Sequence, residues 1–99
     1  MTEKPVAEIE KILTSYHSLL WHHCPDSRGC HGMPGMPDFT VIGPRGELWI
    51  EAKPHEGEHP HGGQLAWKYA LIALGVKWVV WTPADIASGR VRLELEALL

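Results

Sequence analysis

Apolar residues Val6, Ile9, Leu13, Tyr16 and Leu20 recur at three- and four-residue steps, which predicts an amphipathic helix over residues 5–20 with Pro5 in its first turn. Beyond it the period vanishes. Residues 21–36 are rich in turn formers and read as a loop, with room for a short strand at 21–24. Alternation returns at 38–42 and 47–53, two strand-like runs around Gly43-Pro44-Arg45-Gly46, whose turn chemistry argues a hairpin. With the turn centred on Pro44 and Arg45, Phe39 faces Ile50 and Val41 faces Leu48 on an apolar face shared with Ala52. The opposite face then carries Asp38, Thr40, Trp49, Glu51 and Lys53, with Asp38 directly across from Glu51. An odd-length loop would break this pairing.

Residues 54–63 read as a polar loop. Leu65, Ala66, Tyr69 and Ile72, with Trp67 beside them, predict a second helix over 64–74 stopped by Gly75, and a short buried strand follows at 76–81. The last segment is a turn through Thr82 to Arg90 and a terminal element at 91–99. There the alternation of Val91, Leu93 and Leu95 suits a strand, while Leu93, Ala97 and Leu98 would serve a helix, and the pattern leaves both open.

Ninety-nine residues suffice for one domain, 1–99, burying roughly 65% of its unfolded surface. The 44% hydrophobic and 21% charged content excludes wholesale disorder. The longest apolar stretches, at 70–74 and 78–81, fall well below the ~18 residues of a membrane span, and no basic-then-apolar leader precedes them. A cytoplasmic chain is expected, with no membrane partner. Its net charge of −3 provides no global attraction to nucleic acid, so any such binding needs local charge or bound cations.

Candidate chemistry begins with the hairpin. Two carboxylates facing one another destabilise a sheet unless something compensates, and a divalent cation does so. Asp38, Glu51 and the Ala52 carbonyl offer the hard oxygen ligands that Mg2+ or Mn2+ prefers. Lys53, on the same face, is placed to hold an attacking water or to balance phosphate charge. Together these parts describe metal-assisted phosphodiester hydrolysis. The bland alternative is three solvated residues on an open hairpin face.

The whole string favours the sharper reading. Gly35-Met36-Pro37-Asp38, then Glu51-Ala52-Lys53, then Gly63-Gln64 before an apolar helix resembles the PD-(D/E)XK nuclease superfamily, and more narrowly its VRR-NUC family, the virus-type replication-repair nuclease domain. The resemblance covers residues 5–81 and extends through Trp81-Thr82-Pro83-Ala84-Asp85 and Ser88-Gly89-Arg90. It implies an α/β fold with a restriction-endonuclease-like core, a mixed central sheet flanked by helices in the order α-β-β-β-α-β. It also implies Mg2+ or Mn2+ dependence and cleavage of DNA. Small stand-alone members from phages and bacteria act as homodimers, and some cut four-way junctions. Carried onto this chain, Asp38 and Glu51 are the metal ligands, Lys53 the catalytic lysine and Gln64 the supporting residue at the start of the second helix. Superfamily members often add a glutamate from the first helix; Glu3, Glu8 and Glu10 are candidates, and Glu8 is preferred. The Gln-x-x-x-Tyr pattern of exonuclease relatives is not met, because Tyr69 falls five residues after Gln64.

Other clusters compete for attention. His22, His23, Cys24, Cys30 and His31 hold enough nitrogen and sulfur ligands for a structural Zn2+ site, with Cys24, Cys30, His23 and His31 the first choice. Free thiols and surface histidines are the alternative, since two cysteines with five residues between them lie beyond the usual zinc spacing. His55, His59 and His61 lie between Lys53 and Gln64, where a substrate strand could pass, but such histidines are commonly solvated. Arg28 and Lys68 are candidate DNA contacts. Of the remaining basic residues, Lys4, Lys11, Arg45, Lys77, Arg90 and Arg92 must cluster on one side to help bind DNA. Trp49 either stacks on a base or is covered by the second helix, and Trp67, Trp78 and Trp81 are assigned to core or dimer surface. The expectation is a metal-dependent, structure-selective DNA endonuclease, with a junction resolvase as its sharpest form. The rivals are a general nuclease of duplexes, flaps or single strands, and a non-catalytic zinc-stabilised DNA-binding module.

Overall fold

In the computed structural model, which describes residues 4–24, 32–55 and 62–99, the hairpin forms in the predicted register. Strand β2 (Phe39–Gly43) runs antiparallel to β3 (Gly46–Ala52), pairing Phe39 with Ile50 and Val41 with Leu48 across a two-residue Pro44-Arg45 turn. The even loop was the condition for placing Asp38 and Glu51 on one face, and it is met. Strand β1 (Leu20–His23) adds antiparallel to β2, and β4 (Trp78–Trp81) adds parallel to β3, giving a mixed sheet in the order β1-β2-β3-β4.

Helix α1 (Val6–Thr14) is shorter than its apolar period. The Ser15 and Tyr16 amides turn back onto the Ile12 and Leu13 carbonyls at 3.0 and 3.1 Å, a tightened last turn that ends the helix. Leu20 therefore opens β1 instead of closing α1 and is largely exposed, whereas Tyr16 still packs on the core from the turn. Ile9, Ile12 and Leu13 of α1 lie against Phe39, Val41, Leu48, Ile50, Val79 and Trp81 of the sheet. Helix α4 (Arg90–Glu96) completes this core with Val91 and Leu95, so the terminal segment left open by its pattern is helical.

Between β4 and α4, helix α3 (Pro83–Ala87) starts at a capping box. The Thr82 hydroxyl accepts from the Asp85 amide at 3.4 Å while the Asp85 carboxylate accepts from the Thr82 amide at 2.8 Å. Thr82→Ala is expected to lower stability by about 1 kcal/mol, read as a shift of the denaturant midpoint at constant slope.

Helix α2 (Gly63–Ala73) covers the other face of the sheet, and here the predicted apolar stripe is not the buried one. Tyr69 and Ile72 are 62% and 50% exposed, and Leu71 is the residue that goes under. The reason lies at the helix start. Pro34 and Gly35 meet Gly63 and Gln64 backbone to backbone, and the Trp67 indole donates to the Pro34 carbonyl at 3.1 Å. Those contacts fix the helix rotation, turning Gln64 and Lys68 towards the sheet in place of the aliphatic flank. Among the described residues no helix is long and apolar enough to cross a membrane.

Candidate active site

The ends of all four strands of the sheet meet at the polar cluster. The Asp38 carbonyl accepts from the Cys24 amide at 2.8 Å, continuing the β1–β2 ladder by one residue, and Pro37 beside it is fully buried. The Lys53 amide donates to the Trp81 carbonyl at 2.9 Å, continuing the β3–β4 ladder. Asp38 is thus held by backbone pairing from the β1 side, and Glu51 and Lys53 from the β4 side. Their side chains are 8%, 1% and 2% exposed as residues, far drier than an open hairpin face allows. The solvated alternative is thereby excluded for this trio.

Each polar group in the cluster has a definite partner. Asp38 Oδ2 accepts from the Ala52 amide at 2.8 Å, so it is through its N–H that Ala52 is tied to the site. Gln64 Nε2 donates to Glu51 Oε1 at 2.8 Å, and Lys53 Nζ donates to Gln64 Oε1 at 3.0 Å. The Gln64 amide thus bridges an acid and a base that lie on the same strand face. Sequence reasoning placed Gln64 here by resemblance alone; the physical cause is the glycine contact that docks the start of α2 over β3.

Burial, followed by the charge of Asp38, pushes the Glu51 carboxyl up to about 8, against the opposing pull of Lys4 and Lys53. Glu51 Oε2 is buried and has no hydrogen-bond partner. An orphan acceptor at this depth costs free energy of the order of 1–3 kcal/mol unless something binds it. A cation already occupies the neighbourhood: Lys4 Nζ lies 3.2 and 3.3 Å from the two Asp38 oxygens and 3.9 Å from Glu51 Oε1. On sequence grounds Lys4 was one of several scattered basic residues, because nothing in the local pattern shows that the start of α1 sits over the start of β2.

The remaining candidates fall elsewhere. Glu8 is exposed and lines with Lys4, Pro83 and Ile86 a cleft of about 520 Å³ between α1 and α3. Glu10 approaches His23 Nδ1 at 3.7 Å, and the His23 ring stacks on Phe39 with centroids 4.5 Å apart. Cys24 is buried and disulfide-bonded. Glu3, Arg28, Cys30, His31, His59 and His61 lie outside the described residues. Among the described residues, no three or more His, Cys, Asp or Glu side chains gather as a metal-binding group; Asp38 and Glu51 are a pair.

Lys68 Nζ sits 4.9 Å from the Trp78 ring centroid and 5.7 Å from that of Tyr69. Trp81 belongs to the core, whereas Trp67 and Trp78 are half-buried on the α2 side. Trp49 shares the face of Glu51 as expected, half-buried, with its indole donating to Glu47 at 2.8 Å. Arg90 is engaged by Asp85 at 3.0 Å and by Glu94 at 2.6 Å. Arg92 lies beside the Tyr16 ring. Arg90 thus ties α3 to α4, and Arg92 faces the turn after α1. No protein family, curated protein or solved structure matches the chain.

Proposed function

We propose that this chain is a divalent-cation-dependent DNA nuclease built on a restriction-endonuclease-like core, of the kind its VRR-NUC resemblance implies. One observation carries the reading: a dry Asp38–Glu51 carboxylate pair, with an unpartnered Glu51 oxygen, wired through Gln64 to a buried Lys53. Two acids packed together in this way are unstable as neighbours, and the chain retains them where a cation could bridge them.

Mg2+ or Mn2+ held by Asp38 and Glu51 would polarise a phosphate and lower the pKa of a bound water. The chain's own residues set the stage for that chemistry. The Ala52 amide orients Asp38 by holding Oδ2, while Gln64 holds Glu51 Oε1 and leaves Oε2 unpartnered. Lys53 brings a positive charge to the same face, where it offsets charge building on a phosphate. A phosphodiester is the substrate class that fits, since both the acids and the lysine address oxygen-rich, anionic groups. Among DNA forms, a four-way junction is the sharpest candidate, with a second copy of the chain supplying the other incision.

The test offers labelled four-way junction, flap, linear duplex and single-stranded DNA to the purified protein with Mg2+, Mn2+ or EDTA, with Glu51→Ala alongside. Cutting that requires the cation and vanishes in the variant is the expected result, and the preferred substrate separates a resolvase from a general nuclease. No cutting of any substrate, with DNA binding indifferent to Asp38→Ala and Glu51→Ala, overturns the proposal in favour of a binding module.

A further inference from the structure

We infer that Lys4 is a tethered occupant of the cation position, so that its ammonium and a divalent cation bind the Asp38–Glu51 pair in mutual exclusion. The inference rests on the proposed reading of that pair as a metal site and adds a residue to it.

The geometry is specific. A single nitrogen reaches both oxygens of Asp38 and Oε1 of Glu51 within 3.2 to 3.9 Å, so one positive charge already sits between the two carboxylates. Its partners are almost dry, with the Asp38 and Glu51 side chains 11% and 2% exposed, whereas the Lys4 side chain is 41% exposed. Lys4 is therefore the mobile member of the trio. It precedes α1 and lines the open cleft between α1 and α3, so its side chain has space to leave without disturbing the sheet. The two cations cannot share the position, because an ammonium and a divalent cation a few ångströms apart repel strongly between these largely buried acids. Loading the metal must eject the lysine. Lys53 is not a second such occupant, since it is buried and donates to Gln64.

Two consequences follow. Lys4 weakens metal binding by the work needed to displace it, and in the metal-free chain it neutralises acids that would otherwise repel. After ejection the ammonium lies at the mouth of the site, where an incoming phosphate is the nearest anion. Lys4 is thus a binding residue that changes partners, from carboxylate to phosphate, as the site is loaded.

The experiment titrates Mn2+ into the full chain by calorimetry, comparing wild type with Lys4→Met, which keeps the stem, and Lys4→Arg, which keeps the charge. Lys4→Met is expected to bind Mn2+ about tenfold more tightly, with Lys4→Arg close to wild type. In parallel, Lys4 in the wild-type protein is labelled with an amine-reactive ester with and without Mn2+ and quantified by mass spectrometry. Its labelling should rise severalfold with the metal and stay flat in Glu51→Gln. Equal or weaker Mn2+ binding by Lys4→Met, or labelling indifferent to Mn2+ in a wild type that binds it, overturns the exchange while leaving the metal site standing. Absence of Mn2+ binding in wild type and all variants overturns the metal site and the exchange together. Should Lys4→Met fail to fold, the labelling arm on wild type decides.

Discussion

Glu51→Gln is expected to make the metal-free chain more stable at pH 8 and above while abolishing cation-dependent hydrolysis. Glutamine copies the protonated acid: its oxygen still accepts from Gln64, and its NH2 takes the place of the acid's O–H. What it removes is the ability to ionise. The Glu51 carboxyl stands at about 8 in the folded chain against an ordinary 4.5, raised first by burial and then by Asp38. The folded state therefore holds this proton more tightly than the unfolded state does. Its contribution to stability is full below about pH 4.5 and drains away as pH rises through about 8.

At about 1.4 kcal/mol per pH unit, ionising Glu51 costs the folded chain at most on the order of 5 kcal/mol by the end of that window. Glu51→Gln escapes this cost. Melting curves in EDTA between pH 5 and 9 should show wild type falling relative to the variant, with the gap widest at the alkaline end. Adding Mn2+ should reverse the order, since a bound cation stabilises the ionised acid and has no such partner in the glutamine variant. Hydrolysis should fall by at least about 10³-fold in the variant. A wild type that outlasts Glu51→Gln at pH 8 in EDTA would show that the acid is not held against its own ionisation. Stability given up at this position is the physical mark of a site retained for binding.

Much of this site was legible in the chain. The register followed from an even hairpin loop between two alternating runs, so the shared face of Asp38, Glu51 and Lys53 could be read before any coordinates. That the face is dry could not be read, because its cover comes from α2, whose apolar residues suggested a different buried stripe. Period analysis assumes a helix turned by its aliphatic residues, whereas this one is turned by backbone contact at its first turn. The apolar period overruns the end of α1 for a related reason. Its apolar period continues through Tyr16 and Leu20 because both residues are used, one by the turn and one by the next strand. Lys4 left no sequence signal, since its role depends on where the start of α1 falls across a strand more than thirty residues away.

Gly35→Ala should be the most damaging small substitution outside the core. A Cβ at this position would stand 2.2 Å from the Gly63 carbonyl carbon and 2.5 Å from the Gln64 nitrogen, both backbone atoms that cannot rotate away. Its φ of +99° adds the strain of a left-handed residue bearing a side chain. Gly32 provides the control: it has a φ of +121°, but a Cβ there meets nothing within 4 Å. Gly32→Ala should pay conformational strain alone, about 1 kcal/mol, while Gly35→Ala pays strain and overlap, about 3–4 kcal/mol. For a domain of this size the second figure corresponds to a fall of very roughly 15–25 °C in Tm. The functional cost should exceed the loss of folded protein. Relieving the overlap lifts the start of α2, and Gln64 leaves with it, so Glu51 Oε1 and Lys53 both lose the amide that bridges them. Mn2+ affinity measured at a temperature where both variants are folded should therefore drop in Gly35→Ala and hold in Gly32→Ala. Equal behaviour of the two variants would mean that the glycine contact does not position the site, and that Gln64 reaches Glu51 by some other constraint.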